Sequence, residues 1–205
     1  MTTQTSPVTD RRATDLGVGA RLSLHPHCDD YVDVILSALA AADSSRLEVR
    51  TDDVSTFVRG SEADVVRWVH AVLAAAGATR WHVVAHLLLS RGCPGEVDCE
   101  LPDDALLASV AVPALAPTGL AASAHWALYP LDDTGGDHLA HIMTAIGSAG
   151  SAARTTPEHF VTRLDGDLSD VLTAVAAGWL EVARHVRHVV THVTVSLHSP
   201  SGGAR

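Results

Sequence analysis

His82-Val83-Val84-Ala85-His86 returns 106 residues later as His188-Val189-Val190-Thr191-His192. The match extends outward at the same offset, where Ser90 meets Ser196 and Pro94 meets Pro200. Further upstream, Leu24-His25-Pro26 matches Leu128-Tyr129-Pro130 and Arg50-Thr51 matches Arg154-Thr155, both at 104. Ile35 and Ala38 match Ile142 and Ala145 at 107. Order and spacing agree over about 75 residues, and loop insertions account for the small changes of offset. Self-similarity of this kind marks a tandem duplication.

Each copy has the same rhythm. In the first, residues 20–26 read as a strand, and Val34, Ile35, Ala38 and Leu39 then recur at helical spacing. Two short strands follow, at 46–51 and 54–60. A second helix starts near Ser61 with Val65, Val69, Val72 and Leu73 on one face, and a long strand at 81–91 closes the unit. In the second copy Leu168, Val171, Leu172, Val175 and Val182 form the corresponding helical stripe. The order β-α-β-β-α-β is ferredoxin-like. The expected fold class is α+β: a tandem repeat of two ferredoxin-like βαββαβ units, with helices on one face of each antiparallel sheet. The expected boundaries are a tail at 1–18, repeats at 19–95 and 121–199, a linker at 96–120 and a tail at 200–205. The bare face of each sheet needs solvent or cover, so a sheet-to-sheet pseudodimer or a homodimer is expected.

Composition narrows the function. The chain has 205 residues, a net charge of −10 and 47% hydrophobic residues, so it has enough apolar content to bury a core. The negative charge argues against nucleic acid and anionic membranes as partners. Every basic side chain is arginine, which excludes Schiff-base chemistry and a P-loop lysine. Three cysteines, Cys28, Cys93 and Cys99, do not make a disulfide framework. The polar N-terminal stretch has no apolar signal segment. Pro113, Pro117 and Gly119 interrupt the apolar run at 105–131, so no membrane insertion is expected. The expected location is cytoplasmic.

Most of the acidic pairs suit helix starts. Asp30 with Asp33, Thr134 with Asp137, Ser61 with Asp64, and Asp167 with Asp170 each precede or open a predicted helix. Asp132 and Asp133 are not needed there and are free to face a cationic ligand. The thirteen histidines do not form a metal-ligand pattern, since residues four apart on a strand stand ~13 Å apart. No nucleophile elbow, Gly-rich phosphate loop or HExxH is present, so no catalytic residue is assigned and no cofactor is expected. Cys93 with a sheet histidine is the alternative of a small ferredoxin-like enzyme. A histidine-lined assembly module is another.

Strand alternation singles out two hydroxyls. Val54, Thr56 and Val58 point one way, and at the 106 offset Phe160, Thr162 and Leu164 do the same. One Thr per copy thus sits on an apolar face, filling a Val-shaped space or pointing into a small pocket. Leu-x-Pro adds a second feature. Proline has no N–H, so pairing is expected to stop there and to leave the backbone of Leu24 and Leu128 available to a flat polar ligand.

The pieces "SLHP…DD", "RTDDVSTFVRGS", "SRGCPG", "ALYP", "RLDGD" and "SPS", in this order over 19–201, resemble the YkoF-type thiamine/hydroxymethylpyrimidine-binding family. The resemblance implies a homodimer that binds thiamine or its pyrimidine precursor without catalysis. It implies one potential site per repeat, a role in thiamine-precursor uptake or salvage, and a functional link to a precursor transporter. Carried onto this chain, Leu24 and Thr56 fall in the first site, and Leu128 and Thr162 in the second. The family usually has Tyr where this chain has His25, whereas Tyr129 keeps the aromatic ring. If that ring stacks on the ligand, the two sites differ in affinity. His86 and Leu87 also depart from the family's small polar residues. Asp52 or Asp132 is expected to face the thiazolium cation.

Overall fold

The computed structural model describes residues 17–92, 110–131 and 135–201. Asp132, Thr134, Cys93 and Cys99 lie outside the described residues. The first repeat runs β1 (Gly19–Pro26), α1 (Tyr31–Ala41), β2 (Glu48–Thr51), β3 (Thr56–Arg59), α2 (Glu62–Ala78) and β4 (Val83–Arg91). The second runs β5 (Ala121–Leu131), α3 (His138–Ala149), β6 (Arg154–Glu158), β7 (Val161–Asp167), α4 (Leu168–Val182) and β8 (His188–Leu197). Both are βαββαβ, as the periodicity of the sequence predicts.

Local chemistry starts most of the helices. The Ser61 hydroxyl accepts the Asp64 N–H and donates to the Asp64 carboxylate, closing a box at the start of α2. Asp137 accepts from the Ala140 N–H, and Asp167 from the Ser169 N–H. Asp30 occupies the N-cap position of α1 but makes no capping bond.

Alternation along the strands builds the core. Leu22 and Leu24 of β1, Leu87 and Leu89 of β4, Trp126 and Leu128 of β5, and Val193 and Val195 of β8 are buried on one face. They meet Val65, Val69, Val72 and Leu73 of α2 and Leu168, Val171, Leu172 and Val175 of α4, also buried. Each such side chain contributes roughly 1.5–3 kcal/mol on burial. Helices α2 and α4 touch across the join, so all the helices share one side.

The repeats do not pack sheet to sheet within the chain, contrary to one expectation. They join edge to edge into one eight-stranded sheet, ordered β2-β3-β1-β4-β8-β5-β7-β6. β4 and β8 are the terminal strands of their repeats and pair antiparallel from Val83↔Leu197 to Arg91↔Val189. Pairing satisfies two backbone edges that would otherwise be open. It leaves one continuous face without helices, carrying His25, His86, His192 and Tyr129.

The hairpins correct two details. Thr51 pairs with Thr56 and Pro157 with Thr162, so both hairpins follow the 106 offset. The Arg50-Thr51 and Arg154-Thr155 match is therefore two residues out of structural register. Val54 and Phe160 are not on the buried face: they lie in the turns and are 76% and 99% exposed. Alternation fails there because it holds only within the strand.

The two copies solve the same packing differently. Arg91 donates from Nε to Glu62 at 3.0 Å, and both side chains are buried. At the 106 offset their counterparts are Leu197 and Leu168, also buried. Leu22 and Val72 are replaced by Trp126 and Gly178, and a Cβ on Gly178 would meet the Trp126 ring at 2.5 Å. No helix among the described residues is long and apolar enough to cross a membrane.

Candidate functional site

Each repeat has a cavity where its first strand outruns its neighbour. In the first repeat, pairing of β1 with β3 ends at Leu22↔Thr56, yet β1 continues through Leu24 to Pro26. In the second, β5 pairs with β7 up to Trp126↔Thr162 and continues through Leu128. Beyond those pairs no strand among the described residues lies beside Leu24 or Leu128 on that edge. Proline is not what stops the ladder: Pro26↔Val83 and Pro130↔Val189 remain register partners on the other edge. The free edge comes from the shortness of β3 and β7.

The first cavity, about 380 Å³, lies between this edge, Ile35 and Leu39 of α1, and the β2–β3 turn. The second, about 660 Å³, is bounded by Leu128, Ile142, Met143 and Ile146, with the β6–β7 turn closing it. Ile35 and Ile142 are counterparts, as are Leu39 and Ile146, so the cavities are equivalent by descent.

Thr56 and Thr162 line these cavities and are only 4% and 9% exposed. Their surroundings differ. Thr56 Oγ1 lies 3.0 Å from Thr51 Oγ1, a hydroxyl pair in which either can donate. The counterpart of Thr51 is Pro157, which has no hydroxyl to share with Thr162. Trp126 replaces Leu22 in the second cavity, and its indole N–H donates to Thr191 at 2.7 Å. The Thr191 hydroxyl in turn donates to the Ala127 carbonyl at 2.8 Å.

Asp52 borders the first cavity but is already engaged. Arg21 donates to it at 2.6 Å, and the Val54 and Ser55 N–H groups both donate at 2.9 Å. These bonds, Arg21's foremost, pull its carboxyl down to about 2. It anchors the turn, and Asp53 beside it is the other carboxylate at that cavity. Glu158, the counterpart of Asp52 at the 106 offset, borders the second.

His25 and Tyr129 border the cavities, but their rings lie on the helix-free face, since alternation sends them opposite to Leu24 and Leu128. The His25 ring meets His86 edge-on at 5.2 Å, and Tyr129 meets His192 at 5.8 Å. Partial burial, then His86 and His27, lowers the His25 pKa. The expectation that this ring stacks on a ligand in the sheet–helix cavity therefore finds no support in its placement. His27 stacks on His82 at 4.4 Å, and His82 reaches Ser196 at 3.1 Å. Among the described residues no group of three or more His, Cys, Asp or Glu is placed to hold a metal ion.

The structure thus brings together Leu24, Thr56, His25 and Asp52 at one cavity, and Leu128, Thr162 and Tyr129 at the other. Sequence reasoning did not assign Tyr31, Trp126, Met143, Glu158 or Phe160. Applying the 106 offset to Asp52 points directly to Glu158. Nothing in the sequence announces that Tyr31 or Met143 faces a cavity.

The sequence model of the YKOF-related Family matches residues 17–96 and 121–202, one stretch in each repeat. The chain belongs to this family. It is also 33% identical over 195 residues to a Bacillus subtilis (strain 168) protein named "Putative HMP/thiamine-binding protein YkoF", covering 89% of this chain and 91% of that one.

Proposed function

We propose that this protein binds thiamine or its hydroxymethylpyrimidine precursor without converting it, with one site in each repeat. One observation carries the reading. In both copies a buried threonine hydroxyl and an unpaired strand edge meet at the floor of a cavity whose helix side is apolar, with Ile35 and Leu39 in the first and Ile142 and Ile146 in the second. A planar aminopyrimidine needs this combination: adjacent backbone donors and acceptors along one edge and apolar walls for its faces. A ligand there pairs the backbone of the strand edge and shares the Thr56 hydroxyl with Thr51. The relative's name agrees with this assignment.

The pyrimidine lies along the backbone of Leu24 or Leu128, with Thr56 or Thr162 bonding its edge. Asp53 and Glu158 face the thiazolium cation, because Asp52 is committed to Arg21. Two copies associate through the helix-free sheet face, where Val84, Leu88 and Val190 lie among the histidines. The protein acts in the cytoplasm in thiamine-precursor uptake or salvage, receiving its ligand downstream of a transporter.

Calorimetric titration with both compounds tests the reading. Two ligands per chain are expected, falling to one in Thr56→Val and in Thr162→Val. Absence of heat and of thermal stabilisation at millimolar ligand overturns it. Sedimentation of the unliganded protein as a monomer overturns the dimer.

A further inference from the structure

Phe160 sits where folding alone does not favour it. Glu158↔Val161 is the last pair of the β6–β7 hairpin, so His159 and Phe160 form a two-residue turn. Such turns favour Gly, Asn or Asp. Phe160 has φ 69°, a left-handed conformation that bulky residues rarely adopt, and the residue is 99% exposed. Backbone strain and an aromatic ring in water both cost stability, and strain of this kind concentrates at ligand clamps.

The ring borders the second cavity together with Trp126, Met143 and Glu158. Its counterpart in the first repeat, Val54, is smaller and belongs to a longer turn anchored by Asp52. The first cavity has Leu22 in place of Trp126 and is about 380 Å³ against about 660 Å³. The second cavity therefore has both the room and the aromatic surface for a larger flat ligand.

We propose that Phe160 is a specificity-determining residue whose ring closes over the second cavity and selects a two-ring ligand, a pyrimidine joined to a cationic heteroaromatic ring. The first cavity, lacking this ring, prefers the single pyrimidine. The inference rests on the thiamine-or-pyrimidine reading of the two cavities. The cationic ring lies against the face of Phe160, where the quadrupole of the aromatic attracts it. Glu158 supplies the opposing charge.

Tryptophan fluorescence reports on the second site, because of the four tryptophans Trp126 lines that cavity and none lines the first. Thiamine and hydroxymethylpyrimidine are titrated into the wild-type protein, Phe160→Val and Phe160→Tyr. In Phe160→Val, thiamine binding at the second site weakens about tenfold, and hydroxymethylpyrimidine binding changes by less than about threefold. Phe160→Tyr keeps both affinities. Wild-type binding that Phe160→Val leaves intact, or weakens equally for both compounds, overturns the clamp while the binding function stands. No fluorescence response of the wild type at millimolar concentration, together with no heat in the calorimetric titration, overturns the binding function, and the clamp with it; no fluorescence response with heat from one ligand per chain overturns the clamp alone. The unliganded Phe160→Asn variant melts higher than wild type, since strain and exposure are relieved; a lower melting temperature shows the ring is kept for packing and overturns the clamp.

Discussion

Leu87 and Val193 face each other across the seam between the repeats, and each is also the other's counterpart in the duplication. A pseudo-twofold axis therefore passes through this pair. One consequence is paired substitution about the axis. His86 faces Thr194 and bonds it at 3.1 Å, while the symmetry-related position sets His192 opposite Leu88. Both Leu87 and Val193 are buried beneath α2 and α4. Leu87→Ala leaves a cavity at the axis and lowers stability by about 2–5 kcal/mol. Urea denaturation measures this, and the two repeats still unfold in one transition because the seam is common to both.

The buried Arg91–Glu62 pair has a natural control in the second repeat, where leucines stand at both positions. Arg91→Leu alone strands the buried Glu62 carboxylate, and Glu62→Leu alone takes the carboxylate from the buried Arg91 guanidinium and leaves it the Ala183 carbonyl; each costs about 3–5 kcal/mol. The double variant recovers to near wild type, because Leu168 and Leu197 already show that the site accepts two leucines. A double-mutant cycle by chemical denaturation gives the coupling.

Gly178 and Trp126 form the other exchanged pair. Gly178→Ala places a methyl group 2.5–2.7 Å from the Trp126 ring and costs about 1–3 kcal/mol. Trp126→Leu, which restores the first repeat's residue at that position, relieves that cost in the double variant. Thermal melts of the four proteins check it.

Asp167 ties the chain before β5 to the start of α4. It accepts from the Thr118 and Ser169 N–H and hydroxyl groups and from the Gly119 N–H. Partial burial raises its carboxyl pKa, but the bonds from Ser169 and Thr118 outweigh this and hold it well below the usual range. A depressed folded-state pKa contributes stability above the ordinary value of about 3.9 and loses it as pH falls toward the folded value. Asp167→Asn lowers stability by about 1 kcal/mol at neutral pH, and the difference from wild type shrinks below about pH 4. Denaturation midpoints followed across pH 2–7 read both effects.

The exposed carboxylates at the cavities act on charge alone. Asp53→Asn and Glu158→Gln weaken thiamine by no more than about 1 kcal/mol each and leave the neutral hydroxymethylpyrimidine unchanged. The thiamine effect diminishes at high salt. Calorimetry at two ionic strengths separates these outcomes.

Much of the architecture follows from sequence periodicity. The 106-residue offset carries the duplication, period-two alternation sends Thr56 and Thr162 inward, and Ser61 and Asp167 mark helix starts by chemistry that acts over three residues. The same alternation places His25 and Tyr129 outward. The pairing of Arg21 with Asp52, 31 residues apart, was not legible, and neither was the termination of β3 and β7 that frees the edges at Leu24 and Leu128. Nor did the pattern decide how the repeats join. An apolar face tells a strand which side to bury, but the hydrogen-bonding edge is backbone and nearly the same for every residue. Whether two sheets stack or share a ladder depends on which edges and faces are left over once the helices have docked. Only the assembled tertiary structure decides that: it pairs β4 with β8, leaves one broad face clear of helices and gives two descended cavities different walls.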